Sequence, residues 1–349
     1  MDTCRAMPPA TVPIRSMCVS VIIPAHNSAN SLALSVDSAL AQTLRPHEII
    51  VINDGSTDDT AEVARGYGNR IVYLEQENAG QGAARNRGLA VATGECVAFL
   101  DADDYWQSEF LECCVDFLAV HPEAVAVNTG LLTRLQDGRE LLQPALLTGP
   151  DAPTESFMID DFYAFWAEHD HVRTGSAVIR KSVIDQAGGQ RVDLRVSQDL
   201  EYWGYIATFG PWGYIPEPLW VGNSRAAAAG PGWLRKYRKR RRLCPTVESW
   251  QQRLLPRLTD AQLPHFRVVR GRVAAGYAQN HILGGNPEQA RHIIRTYWDE
   301  LPRTRVTRLL RAGDRLGPLG WWIACRIVVA REYAKAFGVQ WRARSLTQR

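Results

Sequence analysis

Cys96-Val97-Ala98-Phe99-Leu100-Asp101-Ala102-Asp103-Asp104 is the stretch whose reading decides the fold. Five apolar residues have the length and composition of a buried strand. Three carboxylates follow within four positions. Such a group repels itself unless a cation or a hydrogen-bond network compensates it. Hard divalent ions such as Mg²⁺ or Mn²⁺ take carboxylate oxygens and bridge to phosphates. A solvated acidic turn capping a helix is the plainer reading. Position favours the ion, because open parallel sheets bind ligands at the carboxyl ends of their strands.

Upstream, the same grammar repeats. Val19-Ser20-Val21-Ile22-Ile23-Pro24 is a short apolar strand stopped by proline, and Pro24-Ala25-His26-Asn27 follows it. Glu48-Ile49-Ile50-Val51-Ile52 is a second strand, followed by Asn53-Asp54-Gly55-Ser56. Residues 70–74 read as a third strand. Helical spacing fills 28–42, 56–67 and 82–93. Ser56 with Asp59 is a capping-box candidate, and Gly94 stands where a left-handed C-cap is favoured. Strands alternating with helices predict a parallel α/β sheet with both faces covered. Three strand ends therefore share one edge. Asp54 there could accept from the imide N–H of a nucleotide base, or simply serve an Asp-Gly turn. Arg85 and Arg87 are cations in an acidic region, and either could meet a diphosphate; a surface charge on a helix is the alternative, favoured for Arg87.

Past Asp104, a helix over 108–120 and strands over 124–128 and 176–180 are expected, with 137–160 loop-like and a helix from Gln198. From 233 onward helical patterns dominate: 233–243, 248–255, 266–283, 287–301, 306–311 and 321–337. Four alanines and Gly-Pro-Gly near 226–232 mark a domain boundary. The expected organisation is a flexible leader over 1–16, a catalytic domain over 17–229, and a basic, mainly helical domain over 230–349.

The chain has 349 residues, which sets a prior of one or two domains. With 46% hydrophobic and 22% charged residues, it is neither disordered nor fibrous. The net charge of +3 hides a split. Residues 1–230 carry 15 Lys/Arg against 30 Asp/Glu, or −15; residues 231–349 carry 25 against 7, or +18. Seven cysteines, an odd number without zinc spacing, fit a reducing cytosol. Residues 1–16 lack the apolar core of a signal peptide. The longest apolar stretch, 316–330, contains Arg326 and is too short to span a bilayer.

Taken in order and spacing, Val19–Asn27, Ile52-Asn53-Asp54-Gly55-Ser56-Thr57-Asp58, Asn78-Ala79-Gly80 with Ala84-Arg85-Asn86-Arg87-Gly88, and Phe99-Leu100-Asp101-Ala102-Asp103-Asp104 resemble family 2 glycosyltransferases of GT-A fold. The resemblance is specific over 18–112, looser to about residue 225, and absent from the tail. It departs at His26, where the family usually has Tyr or Phe, and at Asn53, a common variant of an Asp. It implies a Rossmann-like mixed sheet flanked by helices and an inverting, metal-dependent transferase using a nucleotide-diphospho-sugar, with a UDP-sugar favoured. Direct displacement at the anomeric carbon needs a base on the acceptor hydroxyl and charge compensation on the departing diphosphate. By resemblance, Pro24, Ala25, His26, Asn27, Asp54, Asn78, Gly80, Arg85, Asp101, Ala102 and Asp103 bind the donor, and Asp103 and Asp101 hold the ion. Ser197-Gln198-Asp199-Leu200-Glu201 matches the family's base segment, which makes Asp199 the base and Glu201 the runner-up. Thr174, Gly175 and Ser176 resemble a segment lining the sugar and acceptor site, although small residues before a strand are equally good turn chemistry. Trp203, Trp212 and Trp220 are read as core rather than sugar platforms.

Residues 234–243 carry seven cations in ten positions. A solvated helix face is the plain reading. Nucleic-acid binding is not expected, because no recognition fold accompanies the run. Peripheral contact with the anionic cytoplasmic face of an inner membrane is the favoured reading, with an acidic polysaccharide acceptor as a variant. Trp321-Trp322-Ile323 could add an interfacial helix, and so could packing on the catalytic domain explain it. The expected activity is sugar transfer to a saccharide or lipid-linked acceptor in cell-surface polysaccharide or lipid-linked glycan synthesis. A nucleotidyltransferase would want a Gly-rich basic loop after the first strand, which is missing here. A non-catalytic glycan- or membrane-binding module would not need the acidic motifs.

Overall fold

A computed structural model describes residues 17–135, 138–223, 238–239 and 241–346, the last twelve as backbone only. The expected leader, the boundary near 226–232, and the start of the expected 233–243 helix, 233–237, lie outside the described residues.

The chain runs β1 (Val19–Ala25), α1 (Leu32–Leu40), β2 (Glu48–Asp54), α2 (Thr60–Arg65), β3 (Val72–Gln76), α3 (Gln81–Leu89) and β4 (Cys96–Phe99). Then come β5 (Tyr105–Trp106), α4 (Phe110–Val120), β6 (Ala126–Arg134), β7 (Glu140–Gln143), β8 (Phe157–Ile159), α5 (Phe162–His169), β9 (Ala177–Arg180), α6 (Lys181–Ala187), α7 (Gln198–Ile206) and β10 (Trp212–Asn223). A helical series follows: α8 (Val247–Gln251), α9 (Leu263–Gly284), α10 (Pro287–Thr296), α11 (Arg305–Arg315) and α12 (Gly317–Leu346).

The main path of the sheet is β3-β2-β1-β4-β9-β6-β10-β5. β1 pairs with β2 and β4, and β2 with β3, all parallel. The expected parallel order holds there and changes at β9, which is antiparallel to both β4 and β6. Beyond it, β10 lies parallel to β6, while β5, β7 and β8 pair antiparallel. The sheet is thus mixed, and its first four strands carry the ligand edge.

Local expectations were corrected in three places. The Ser56/Asp59 capping box does not form: α2 starts at Thr60, and the Ser56 hydroxyl instead accepts the Asn27 amide at 3.0 Å. Gly94 caps no helix in the left-handed region, because α3 ends at Leu89. It is small for a different reason: a Cβ there would lie 2.7 Å from the Ser20 amide nitrogen. The segment 137–160 contains two strands, β7 and β8, rather than loop alone.

Strand alternation divides the core in two. Val21 and Ile23 face a layer with Val36, Phe110 and Leu118. Ile22, Ile52 and Phe99 face the other layer, with Tyr202 and Trp203, and that cluster continues into Trp250, Phe266, Tyr277, Ile293 and Trp321. The C-terminal helices therefore join the core on that side, packing against α5 and α7. Trp250 stacks on Phe266 with centroids 5.8 Å apart, a contact worth about 1 kcal/mol beyond burial. Trp203, Trp212 and Trp220 are core residues, at most 7% exposed. Among the described residues, no helix is long and apolar enough to cross a membrane.

Candidate active site

At the carboxyl ends of β1, β2 and β4 lies one cleft of about 670 Å³, a size suited to a small-molecule ligand. Pro24, Ala25, His26 and Asn27 line it from β1, Asp54 from β2, Asn78 and Gly80 from the loop after β3, and Asp101, Ala102 and Asp103 from beyond β4. The sheet brings together residues up to 79 positions apart because parallel strands put their carboxyl ends on one edge.

Asp54 organises this edge. It is 3% exposed. Its Oδ1 accepts the Ala79 amide and the Gln76 side chain, both at 2.8 Å, and its Oδ2 accepts the Gly80 amide at 2.9 Å. Gly80 turns the chain there with φ +90°, a conformation that Gly adopts without steric cost. His26 Nδ1 lies 2.8 Å from the Asp54 carbonyl, and the Asn78 amide reaches the same ring nitrogen at 3.0 Å. Asn27 Oδ1 accepts the Thr57 amide at 2.8 Å. The β1 and β2 loops are therefore mutually fixed.

The acidic cluster resolves its own repulsion. Arg85, 1% exposed, donates Nη2 to Asp101 Oδ1 at 2.6 Å and Nη1 to Gln190 at 3.2 Å. It stands beneath Asp101 rather than in the cleft lining. Arg87 is exposed on α3. Burial pushes the Asp104 carboxyl up to about 8, helped by the neighbouring Asp101 and Asp103 charges. Asp104 is thus shifted toward its neutral form, and the exposed carboxylate of the cluster is Asp103. Among the described residues, no group of three or more His, Cys, Asp or Glu side chains converges as a ready metal cage. Two carboxylates, one already anchored by Arg85, fit an ion that shares its ligands with substrate phosphates.

Part of the cleft lining was not foreseen: Val192, Leu194, Arg195 and Gln198 belong to it, with Lys239 and Leu243 from the basic run. Arg195 donates to the Ala79 carbonyl, reaching across to the loop that Asp54 holds. Gln198 Nε2 meets Gln81 Oε1 at 3.4 Å. The signal for Lys239 lay in the run of cations, although its composition did not say which cation would face the cleft.

Asp199 is half-buried in the first turn of α7, beside Gln198, and its Oδ1 accepts the Leu200 amide at 2.9 Å. Its turn is braced from the C-terminal helices. The Tyr277 hydroxyl donates to the Val196 carbonyl at 3.1 Å, and the Trp250 indole donates to the Ser197 carbonyl at 3.3 Å. Glu201 lies elsewhere: fully buried, it takes both arms of the Arg253 guanidinium at 2.5 and 2.8 Å. Burial raises its carboxyl's pKa against the pull of Arg253. Thr174, Gly175 and Ser176 are also buried and do not line the cleft. Ser176 Oγ closes a turn on the Arg173 carbonyl at 2.9 Å, and the Gly175 carbonyl accepts the Trp106 indole at 2.6 Å.

Residues 20–185 match the model of Glycosyl transferase family 2. Glycosyltransferase GlyA of Streptococcus pneumoniae is 39% identical over 113 residues, which is 32% of this chain and 16% of the relative. The uncharacterized glycosyltransferase YibD of Escherichia coli is 48% identical over 89 residues, 25% of this chain and 26% of the relative. The first curated relatives are thus matched over only 16% to 33% of their length. Among solved structures, Staphylococcus aureus TarS 1-349 in complex with UDP-GlcNAc superposes with a TM-score of 0.55 at 17% identity, covering 91% of this chain and 92% of that one. The mannosyltransferase PcManGT of Pyrobaculum calidifontis, in complex with GDP-Man and Mn²⁺, gives 0.52 at 20% identity, covering 95% and 90%. At these identities the likeness is one of fold, the GT-A fold of glycosyltransferases.

Proposed function

We propose, from the match of residues 20–185 to the Glycosyl transferase family 2 model, that the protein is an inverting, metal-dependent glycosyltransferase. It moves a sugar from a nucleotide-diphospho-sugar to an acceptor hydroxyl in cell-surface polysaccharide or lipid-linked glycan synthesis. The observation that carries this reading is one cleft lined by His26, Asp54, Asp101 and Asp103 together with Arg195 and Lys239.

Each residue has a role in that reading. His26 stacks on the nucleotide base. Asp54 accepts from the base through the one Oδ2 lone pair that remains beside its three loop contacts, since each carboxylate oxygen can take two hydrogen bonds. Asp101 and Asp103 would hold Mg²⁺ or Mn²⁺, which would supply positive charge to the leaving diphosphate. Arg195 and Lys239 add cations to the same phosphates. Asp199 takes the acceptor proton as the new bond forms. Arg85 serves by fixing Asp101, and Glu201 by tying α7 to α8 and the turn after it. The acceptor is a saccharide or lipid-linked saccharide, and the enzyme works peripherally at the cytoplasmic face of the inner membrane. The S. aureus and P. calidifontis neighbours, described with UDP-GlcNAc and with GDP-Man and Mn²⁺, support the donor class and the ion.

A panel of nucleotide-sugars, each with and without Mn²⁺, tests the reading by thermal stabilisation. One donor is expected to raise Tm, and to do so more with the ion. Asp199→Asn should then lower transfer by about 10³-fold, within the range for loss of a general base, and leave that stabilisation intact. Stabilisation by no nucleotide-sugar would overturn the donor reading. Near-normal turnover of Asp199→Asn would remove Asp199 from the chemistry.

A further inference from the structure

The N-terminal half of α12 leaves an apolar ridge uncovered. Leu316, 75% exposed, ends α11 just before it, and within the helix Leu319 is 70% exposed, Trp322 56%, and Ile323 and Ile327 45% each. Steps of three and four residues place the helical ones on one side of the helix. The other side, Trp321, Ala324, Cys325 and Val328, is buried against the core. Patches of this kind mark interaction surfaces.

The surrounding charge indicates what covers the ridge. Residues 301–334 contain seven arginines and only two acids, Asp314 and Glu332. Asp314 is engaged by Arg291 and Arg295 within the fold. Arg305, Arg308, Arg315, Arg326 and Arg331 are exposed, and the Arg326 guanidinium lies 5.1 Å from the Trp322 ring centroid. A second copy seated on this face by two-fold symmetry would bring the same arginines together, and like charges at an interface are unfavourable. An anionic lipid surface suits both features: apolar side chains enter the acyl boundary, arginines meet phosphates, and tryptophan favours the level between. We propose that α12 docks the protein in the interface of an anionic lipid surface, with the Leu319–Ile323–Ile327 ridge inserted and the arginines at the headgroups.

The same helix is tied to the cleft. Its Tyr333 hydroxyl accepts Arg238 Nη2 at 2.9 Å, and the neighbouring Lys239 and Leu243 line the cleft mouth. Docking through α12 therefore brings the lipid surface near the segment that borders the donor cleft. The inference rests on the peripheral placement proposed above and names its surface; it does not rest on the donor chemistry.

Co-sedimentation of the full chain with phosphatidylglycerol–phosphatidylcholine vesicles, against phosphatidylcholine alone, tests it without turnover. The chain is expected to bind the anionic vesicles, and a Leu319→Glu/Ile323→Glu variant with unchanged circular dichroism to bind at least about tenfold more weakly. Equal binding by that variant overturns the inference. If Arg238→Glu/Arg242→Glu alone abolishes binding, the ridge assignment fails while peripheral placement stands. If the unsubstituted chain ignores anionic vesicles at low salt, both fail. Sedimentation velocity closes the remaining route: an oligomer dissociated by the ridge variant, with vesicle binding unchanged, would assign the ridge to contact between copies.

Discussion

In residues 17–223 the decisive carboxylates stand where strands end; in residues 247–334 most of the arginines described in contact stand where helices touch. The first region is acidic, yet its cleft acids are few and individually managed. Asp101 is anchored by Arg85, Asp104 is pushed toward its neutral form by burial, and Asp54 is spanned by two backbone amides. The second region is strongly basic, yet much of that charge is spent inside the fold. Arg253 holds the buried Glu201, Arg270 holds Glu300, and Arg291 and Arg295 hold Asp314. Arg272 and Arg311 donate to the Trp166 and Trp298 carbonyls, and Arg257 lies over the Phe209 ring. A sum of charges therefore says little about which surface is charged, because guanidinium groups serve equally as donors to carbonyls and as covers for aromatic faces.

The comparison breaks most sharply at Arg253. If it is a brace, Arg253→Ala leaves Glu201 buried without its partner and should cost about 3–5 kcal/mol in urea unfolding. A cost near zero would return Arg253 to the surface charge. A smaller effect should separate the two uses of cations. Lys239→Ala removes a charge-assisted contact at the cleft mouth and should raise the donor KM about tenfold, with stability unchanged. Loss of stability without a KM change would place Lys239 with the braces.

The acid limb of stability tests the first region by itself. His171 is fully buried between Phe162, Phe165 and Tyr214, and burial lowers its imidazole pKa to about 3. The folded state resists protonation that the unfolded chain accepts below its ordinary value near 6.5. Its contribution is therefore complete above about pH 6.5 and falls by about 1.4 kcal/mol per unit as pH drops toward 3. His171→Phe should flatten the slope of unfolding free energy between pH 6 and 4, on the order of one proton's worth; an unchanged slope would show that other groups set the acid limit. The smallest expected effect is at Tyr277. Tyr277→Phe should cost about 1 kcal/mol and lower kcat with the donor KM unchanged, because its hydroxyl holds the turn before Asp199 rather than the donor.

Most of the cleft's strand-end lining was legible because its parts are local. Apolar runs ending in Pro24, Asp54 and Asp101 read directly as strands with ligand ends, and the motif order carried the family resemblance. The three flawed local readings, at Ser56, Gly94 and 137–160, share one cause. Each residue's role was set by a partner far along the chain, Asn27 for Ser56 and Ser20 for Gly94, or by pairing onto a strand not yet identified, β10 for β8. Arg85 was legible as a cation in an acidic domain but not as the counter-ion of Asp101. Glu201 and Asp199 are two residues apart in sequence, and only the packing of the turn after α8 separates a buried ion pair from a half-exposed carboxylate.

Composition and spacing alone determined the strand–helix alternation, the shared edge of three strand ends, and the opposition of an acidic and a basic half. The tertiary structure decided which charges remain available. Hydrophobic periodicity is written within a single element and survives in the sequence, whereas ion pairing and burial join residues such as Arg253 with Glu201 and Arg238 with Tyr333, which only the packed chain brings within reach.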